Sequence, residues 1–184
     1  MSRINPVDYT TAGVHARELL DAVESALGAT PNMTTSMARS AVLEGWLGLY
    51  GALRKGAIGG ADGERIALGV AEANECSYCL SAHAYLAANL ARLDADEIER
   101  ARRFDSSDAK SAAILAFASA VVDTKGAVSD SDVRAARAAG LSDAELGDIV
   151  GHVAINVLTN YFNKAFEVDV DFPVVEPQRE AWAA

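Results

Sequence analysis

The two cysteines of the chain are the residues whose type and spacing most directly suggest chemistry. Two residues separate Cys76 from Cys79, and His83 follows four residues after the second cysteine. In a helix, these spacings place the three side chains along one face. A thiolate is both a nucleophile and a metal ligand, and a neighbouring imidazole can serve as its base or as its positively charged partner. The motif therefore indicates either thiol redox chemistry or metal binding.

The position of this pair at the start of a predicted helix favours ionisation of a thiol. We expect a break at Glu75, with Cys76 at the N-terminus of the helix that follows and Cys79 in its first turn. The helix dipole stabilises a nearby anion by about 0.3–1 kcal/mol. Lowering a thiol pKa from ~8.5 to ~6.5 takes about 2.7 kcal/mol, so the dipole is not sufficient alone. His83 is the predicted second contributor.

Two other interpretations of the cysteine pair stay open from the residues alone, and a third does not fit the predicted elements. The thiols could be small buried hydrophobic side chains, with His83 a hydrogen-bonded core residue. They could bind zinc, with His83 and either His152 or Glu64 completing four ligands, although the sequence lacks the second compact ligand pair of most structural zinc sites. A thioredoxin-type site would need a strand before Cys76, and none is predicted.

A polar stripe runs along the last predicted helix. His152, Asn156, Asn160 and Asn163 are spaced by four, four and three residues, so they share one face of an otherwise apolar helix. These side chains either line a pocket beside the thiols or satisfy backbone groups at a helix or subunit interface. Both interpretations stay open.

The elements that must position these residues are predicted to be helices in one domain. The 184 residues are 51% hydrophobic and 23% charged, which is typical of a globular protein able to form a core without metal or disulfides. We predict a single all-helical domain over residues 1–184, with the CxxC core at about 62–92 and an extended tail from about 168. No alternating strand of useful length and no repeat is present. The predicted fold class is all-α.

Apolar periodicity and breaks define eight predicted helices. Three glycines inside the second one, Gly45, Gly48 and Gly51, are expected to permit close packing, since each costs about 1 kcal/mol in a helix. In chain order the predicted helices are Val14–Leu27, Thr34–Leu53, Asp62–Asn74, Ser77–Arg92, Ile98–Phe104, Ser107–Val122, Ser129–Ala139 and a long helix from Ser142 to Phe166.

Side chains at the predicted helix starts indicate how these helices are capped. Asp62 is expected to cap the helix that precedes the cysteines. Asp94 with Glu97, and Ser142 with Glu145, have the spacing of a capping box. These signals place helix starts more sharply than periodicity alone does.

Charge and targeting signals limit the predicted partners. The net charge of −10 makes the chain poorly suited to bind phosphate backbones or anionic membranes, so neither nucleic acid nor membrane is an expected partner. The first nine residues lack an apolar signal region, and the longest apolar stretch, residues 112–122, is about half the ~20 residues of a membrane span. With only two cysteines, three positions apart, a secreted disulfide framework is excluded. We expect a cytoplasmic protein.

The segment from residue 64 to residue 83 resembles the core of the carboxymuconolactone decarboxylase-like superfamily, in its alkyl hydroperoxidase D-like branch. The shared pattern is a glutamate, twelve residues to a CxxC motif, and a histidine four residues after the second cysteine. Glu64, Cys76, Cys79 and His83 occupy these positions. Residues 156–163, followed by 171–173, also resemble a subgroup of uncharacterised peroxidase-related proteins.

The resemblance implies an all-helical homo-oligomer with a thiol peroxidase or disulfide-reductase cycle. In that cycle Cys79 is the attacking thiolate, which a peroxide or another small-molecule substrate oxidises. Cys76 is the proton donor and resolving thiol, and Glu64 with His83 forms a proton relay. No metal or organic cofactor is needed, but a thiol or dithiol partner must reduce the resulting disulfide.

One position departs from the family pattern. The characterised enzyme type has a histidine immediately before the second cysteine, where this chain has Tyr78. A phenol of pKa about 10 donates a hydrogen bond but is a poor base at neutral pH, so Tyr78 is at most a pocket residue. True lactone decarboxylases of the family lack the CxxC. Two alternatives stay open: a non-catalytic zinc-binding or redox-sensing protein, and a cofactor-free decarboxylase or isomerase that uses Glu64 and His83.

Overall fold

The computed structural model describes residues 2–178, and the regular secondary structure within that range is entirely α-helical, which confirms the predicted class. No helix in that range is long and apolar enough to cross a membrane. The helices are α1 Val14–Leu27, α2 Asn32–Met37, α3 Val42–Leu53, α4 Gly60–Ala73, α5 Ser77–Asn89, α6 Ala95–Ala101, α7 Ala109–Asp123, α8 Asp130–Ala138 and α9 Asp143–Phe166.

Helices α4 and α9 form the centre of the fold. Helix α4 packs against α5, α6, α7 and α9, and every residue from Ile66 to Glu72 is buried. Its close approach to the α6–α7 connection depends on Gly69, because a Cβ there would lie 2.5 Å from the ring of Phe104. Helix α9 is 24 residues long and contacts α3, α4, α5 and α7. Side chains on α4, α5 and α9 therefore meet in the interior.

Three apolar clusters surround this centre. The first joins α4, α7, α8 and α9, with Ile66, Leu115 and Ile149 fully buried. The second contains both cysteines, part of α5 and the segment after α9. The third packs α1, α2 and α3 against α9. Apolar burial of this extent supplies most of the stabilising free energy of a helical fold.

Residues 168–178, the described part of the C-terminal tail, contain no helix or strand. Val168, Val170, Phe172 and Val175 pack into the cluster that contains the cysteines. The backbone N–H of Val175 also donates to the hydroxyl of Ser81 over 2.9 Å. The tail thus covers one side of α5.

The second predicted helix is wrong as a single element, because α2 and α3 are separated at residues 38–41. The hydroxyl of Ser40 donates to the carbonyl of Met37 and accepts from the backbone N–H of Val42. A serine hydroxyl that binds nearby backbone groups competes with helical hydrogen bonds. Arg39 leaves the helical path and donates to the carbonyls of Asn5 and Pro6.

The expectation that glycines of α3 permit close packing is also wrong within the described chain. A Cβ added at Gly45, Gly48 or Gly51 would meet no neighbouring atom within 4 Å. These positions face open space, and the buried side of α3 is formed by Leu43, Trp46 and Leu53.

Two of the three predicted caps need correction. Helix α4 begins earlier than predicted, with Gly59 as N-cap, and Asp62 instead accepts hydrogen bonds from Arg65 and Ser111. Asp94 caps α6, but the carboxylate of Glu97 binds Arg65 instead of returning to the cap. Ser111 lies 49 residues from Asp62, and Arg65 lies 32 residues from Glu97, so local spacing does not indicate these partners. The capping box of Ser142 and Glu145 at the start of α9 is confirmed.

Several helices end at non-glycine residues in the left-handed region. Glu75, at the predicted break, has φ +50°. Arg92 and Phe104, both predicted to be helical, have φ +59° and +52° and lie beyond the ends of α5 and α6. Because such backbone is unfavourable for L-residues with a Cβ, tertiary packing must hold it, and periodicity overestimates both helices. Gly140, at φ +89°, terminates α8 as predicted.

Candidate active site

Cys76 and Cys79 lie where the sequence predicted, at the N-terminus of α5. Cys76 is the N-cap residue, and its sulfur accepts a hydrogen bond from the backbone N–H of Cys79 over 3.4 Å. Both thiols are free, and their residues are only 1% and 2% exposed. The left-handed backbone of Glu75 turns the chain sharply from α4 into α5. Both sulfurs therefore lie at the buried N-terminus of α5.

The packing of α4 against α5 joins Glu64 to His83. Nδ1 of His83 lies 2.8 Å from Oε2 of Glu64, and the two side chains are 23% and 24% exposed. With Nδ1–H donating to the carboxylate, Nε2 is the nitrogen left for exchange with a reacting group. Burial disfavours the imidazolium, but the charge and hydrogen bond of Glu64 outweigh it and raise the pKa of His83. The imidazolium form of His83 is thereby favoured beside the thiols.

The polar stripe of α9 faces α4 and α5. Nδ2 of Asn163 donates to Sγ of Cys79 over 3.2 Å. Oδ1 of Asn160 accepts from Nδ2 of Asn74 over 3.0 Å. Nδ2 of Asn156 donates to the backbone carbonyl of the residue four positions earlier, so this side chain satisfies a backbone group. Each of the two sequence interpretations thus describes part of the stripe.

These contacts give the two thiols opposite tendencies to ionise. Burial opposes the charged form of Cys79, but hydrogen bonds from Cys76 and Asn163, with the charge of His83, lower its pKa to about 7. The hydrogen bond to Cys79 and burial both raise the pKa of Cys76. Near neutral pH the sulfur of Cys79 is therefore partly thiolate, whereas the sulfur of Cys76 keeps its proton. This arrangement is that of a nucleophile beside a proton donor.

Tyr78 is directed away from the Glu64–His83 pair. Its hydroxyl donates to Oδ1 of Asp171 over 2.8 Å and accepts from the backbone N–H of Met33 over 3.1 Å. Its ring meets Phe172 edge-on, with centroids 6.0 Å apart. Burial raises the pKa of the phenol, and the Asp171 carboxylate raises it further. Tyr78 anchors the tail to α2 and α5, a role that its position in the CxxC motif did not predict.

His152 lies on α9 against Gly63, next to Glu64 in sequence. A Cβ at Gly63 would come within 3.1 Å of the imidazole, so the absence of a side chain there makes room for the ring. Burial lowers the pKa of His152, which keeps it neutral. Nε2 is buried and has no hydrogen-bond partner among residues 2–178. Within the same range, no group of three or more His, Cys, Asp or Glu side chains has an arrangement suited to a metal ion.

Asn74 is a member of the site that sequence reasoning missed. It is the C-cap residue of α4, two positions before Cys76, and its side chain reaches Asn160 on α9. Its backbone carbonyl also accepts from Nζ of Lys164. A polar residue at a helix end is usually interpreted as a cap, so only its position between the two site helices distinguishes it.

Comparison with known proteins gives a family match over part of the chain. The model of the Carboxymuconolactone decarboxylase family matches residues 40–123, which include both cysteines, Glu64 and His83. Comparison with curated proteins gives no match.

Solved structures share the fold over nearly the whole chain. An uncharacterized peroxidase-related protein from Ralstonia eutropha JMP134, described as an alkylhydroperoxidase AhpD core, has TM-score 0.82 and 20% identity, with 92% of each chain covered. An uncharacterized peroxidase-related protein from Silicibacter sp. TM1040 has TM-score 0.75 and 22% identity, covering 92% of this chain and 94% of the other. The debrominase Bmp8 has TM-score 0.75 and 20% identity, with 91% of each chain covered. At these identities the likeness shows the fold.

Proposed function

We propose that the chain is a thiol-dependent peroxidase or disulfide oxidoreductase, because residues 40–123 match the model of the Carboxymuconolactone decarboxylase family and the chain has the fold of an alkylhydroperoxidase AhpD core. The redox centre is the pair Cys76 and Cys79. One observation carries the proposal: the buried sulfur of Cys79 accepts a hydrogen bond from Asn163, beside an imidazole held by Glu64. A sulfur in these surroundings ionises near neutral pH and can act as a nucleophile.

The oxidation step begins with the thiolate of Cys79. It attacks the outer oxygen of a hydroperoxide, so an S–O bond forms while the O–O bond breaks. The sulfur loses two electrons and becomes a sulfenic acid, and the peroxide is reduced to an alkoxide or hydroxide. Cys76, which keeps its proton, donates it to this leaving oxygen. The products are an alcohol or water and a thiolate at Cys76.

Resolution closes the disulfide within the pair. The thiolate of Cys76 attacks the sulfenic sulfur of Cys79, an S–S bond forms and the S–O bond breaks. The oxygen leaves as hydroxide and takes a proton from the imidazolium of His83, which Glu64 holds in place. Because the cysteines are three positions apart at a helix start, the backbone need move little.

A dithiol partner returns the enzyme to its starting state. One partner thiol attacks the disulfide to give a mixed disulfide, and its second thiol releases the reduced pair. The partner loses two electrons, and its two protons restore the thiol of Cys76 and the imidazolium of His83. The cycle uses no metal or organic cofactor.

Peroxide consumption with a dithiol reductant tests this proposal. We expect steady turnover by the wild type and none by Cys79→Ser, because serine has no ionised nucleophile at neutral pH. Cys76→Ser should consume about one equivalent of peroxide and then stop, since the sulfenic acid has no resolving thiol. Turnover that persists in Cys79→Ser would contradict the proposal. So would metal released by a chelator with loss of stability, which is the result expected of a zinc protein.

A further inference from the structure

Two buried carboxamides lie one turn apart on α9, and one of them contacts the sulfur of Cys79. Asn160 is 0% exposed and Asn163 is 3% exposed. We propose that Asn160 and Asn163 form a carboxamide cradle that holds the Cys79 thiolate and then the sulfenic acid made from it. The sulfenic acid part of this inference rests on the proposed function, whereas the thiolate part does not.

Asn163 supplies the first donor of the carboxamide cradle. Its Nδ2 lies 3.2 Å from Sγ of Cys79, which is a normal distance for an amide donating to sulfur. This bond also lowers the pKa of Cys79, since a donor to the charged form favours it. Asn163 therefore touches the reacting atom itself.

Asn160 supplies the second donor, and Asn74 sets its direction. The side-chain N–H of Asn74 donates to Oδ1 of Asn160 over 3.0 Å, so the oxygen of that carboxamide faces Asn74 and its nitrogen faces the opposite way. Nδ2 of Asn160 is buried without a hydrogen-bond partner among the described residues. Asn160 lies one turn before Asn163 on the same face of α9, and its contribution to the lowered pKa of Cys79 agrees with a nitrogen directed toward that sulfur. Asn74 is thus a positioning residue.

In the reduced protein, two polar atoms of the cradle have no hydrogen-bond partner among the described residues. Nδ2 of Asn160 is a donor without an acceptor, and Oδ1 of Asn163 is an acceptor without a donor, within residues 2–178. Buried polar atoms in proteins nearly always have a partner, so a pair of opposite kinds beside one sulfur points to a missing group. A sulfenic acid on Cys79 would supply it. Its oxygen accepts from Asn160, and its hydroxyl hydrogen is donated to Asn163.

The same donors would assist the resolving step. When Cys76 attacks, the S–O bond breaks and negative charge develops on the leaving oxygen until it is protonated. An amide N–H already directed at that oxygen stabilises the charge without reorganisation. The cradle is therefore complementary to the oxidised state of Cys79 as well as to its thiolate.

Alkylation of the reduced protein tests the thiolate part. We expect Asn163→Leu and Asn160→Leu, which keep the branched shape of the side chain and remove its polar groups, to move the inflection of the pH–rate profile with iodoacetamide from about 7 to about 8 or higher. The rate at neutral pH should fall about five- to tenfold. Thr159→Val is the matched control, since Thr159 is a buried α9 residue whose hydroxyl donates to the carbonyl of Asn156 within the helix. Its inflection should stay at the wild-type value.

Asn74→Ala provides a second variant should either leucine variant fail to fold. It removes only the group that orients Asn160, and we expect a smaller shift of the inflection in the same direction. An inflection that stays at the wild-type value in the folded variants would overturn the cradle, whether or not the protein consumes peroxide.

Trapping of the sulfenic acid tests the oxidised part. In the Cys76→Ser background, where oxidation stops at Cys79, the adduct with dimedone reports how long the sulfenic acid survives. We expect Asn160→Leu and Asn163→Leu to shorten that lifetime several-fold, and an unchanged lifetime would overturn this part. A wild type that consumes no peroxide refutes the proposed function instead. The alkylation result then stands by itself.

Discussion

At Cys79, interactions with three residues oppose the effect of burial. Removal of a thiolate from water is unfavourable, yet hydrogen bonds from Cys76 and Asn163 and the charge of His83 bring the pKa to about 7. The net charge of −10 on the whole chain adds no help, because a negative field disfavours another anion. Local contacts therefore decide the ionisation of this sulfur.

Glu64 is expected to act on Cys79 through His83. Glu64→Gln removes the carboxylate that raises the pKa of His83, so less imidazolium is present at neutral pH and the thiolate loses a charge partner. The thiolate fraction rises with pH, so a higher pKa moves the activity profile of peroxide consumption to higher pH, by about one unit. NMR titration of His83 should show its pKa falling in the same variant.

Glu18→Gln is the matched control for this experiment. It changes the net charge equally at an exposed position of α1. The pH profile of peroxide consumption and the pKa of His83 should therefore stay as in the wild type. A Glu64→Gln profile that coincides with that of Glu18→Gln would exclude the relay.

At the scale of elements, the tail and α5 form one unit. Tyr78, Ser77 and Ser81 on α5 bind Asp171, Glu176 and the backbone of Val175 in the tail. The buried guanidinium of Arg102 adds a bond to the carbonyl of Glu176. These hydrogen bonds hold the tail against α5, the helix that begins at the two cysteines.

Tyr78→Phe tests this attachment. The phenylalanine keeps the ring contact with Phe172 but removes the hydroxyl that joins Met33 to Asp171. We expect a loss of about 1 kcal/mol in the free energy of unfolding, the usual net value of a buried hydrogen bond. Urea denaturation measures it.

Tyr85→Phe serves as the comparison for that variant. Tyr85 also contacts Phe172, but it is 46% exposed, so its change should stay within about 0.5 kcal/mol. Equal effects of the two substitutions would show that the Tyr78 hydroxyl does not hold the tail.

At the scale of the whole molecule, one face of α9 remains apolar and exposed. Val150, Leu158 and Tyr161 are 46%, 40% and 61% exposed, and their spacing puts them on one side of the helix. Exposed apolar residues that form a continuous stripe, unlike scattered ones, are typical of interaction surfaces. The homo-oligomer implied by the family resemblance has a suitable contact surface here.

We expect the chain to self-associate through this stripe. Leu158→Glu should reduce the mass measured by sedimentation, because burying a charge in an apolar interface is unfavourable. Val14→Glu is the control, since Val14 is 63% exposed at the start of α1, where a negative charge suits the helix dipole. A monomeric wild type, or equal masses for the two variants, would contradict the prediction.

Much of the fold follows from local chemistry in the sequence. Periodicity predicted α1 with its observed bounds, and the capping box at Ser142 predicted the start of α9. The same local logic put Cys76 at a helix N-terminus and Cys79 in the first turn. This local logic failed where a side chain binds a residue distant in sequence, as Glu97 binds Arg65. It also failed where packing holds the backbone in the left-handed region, as at Arg92.

Helical spacing depends only on neighbours along the chain, and it was enough to predict the all-α class, the cysteine pair at a helix start and the face shared by the α9 asparagines. The groups that those faces meet are seen only in the folded chain. Asn163 reaches Cys79 from 84 residues away, and Asn74 reaches Asn160 from 86. The hydroxyl of Tyr78 donates to Asp171 in the tail, 93 residues away. Helical periodicity says which side of a helix is buried, whereas the partner on that side depends on how separate helices pack.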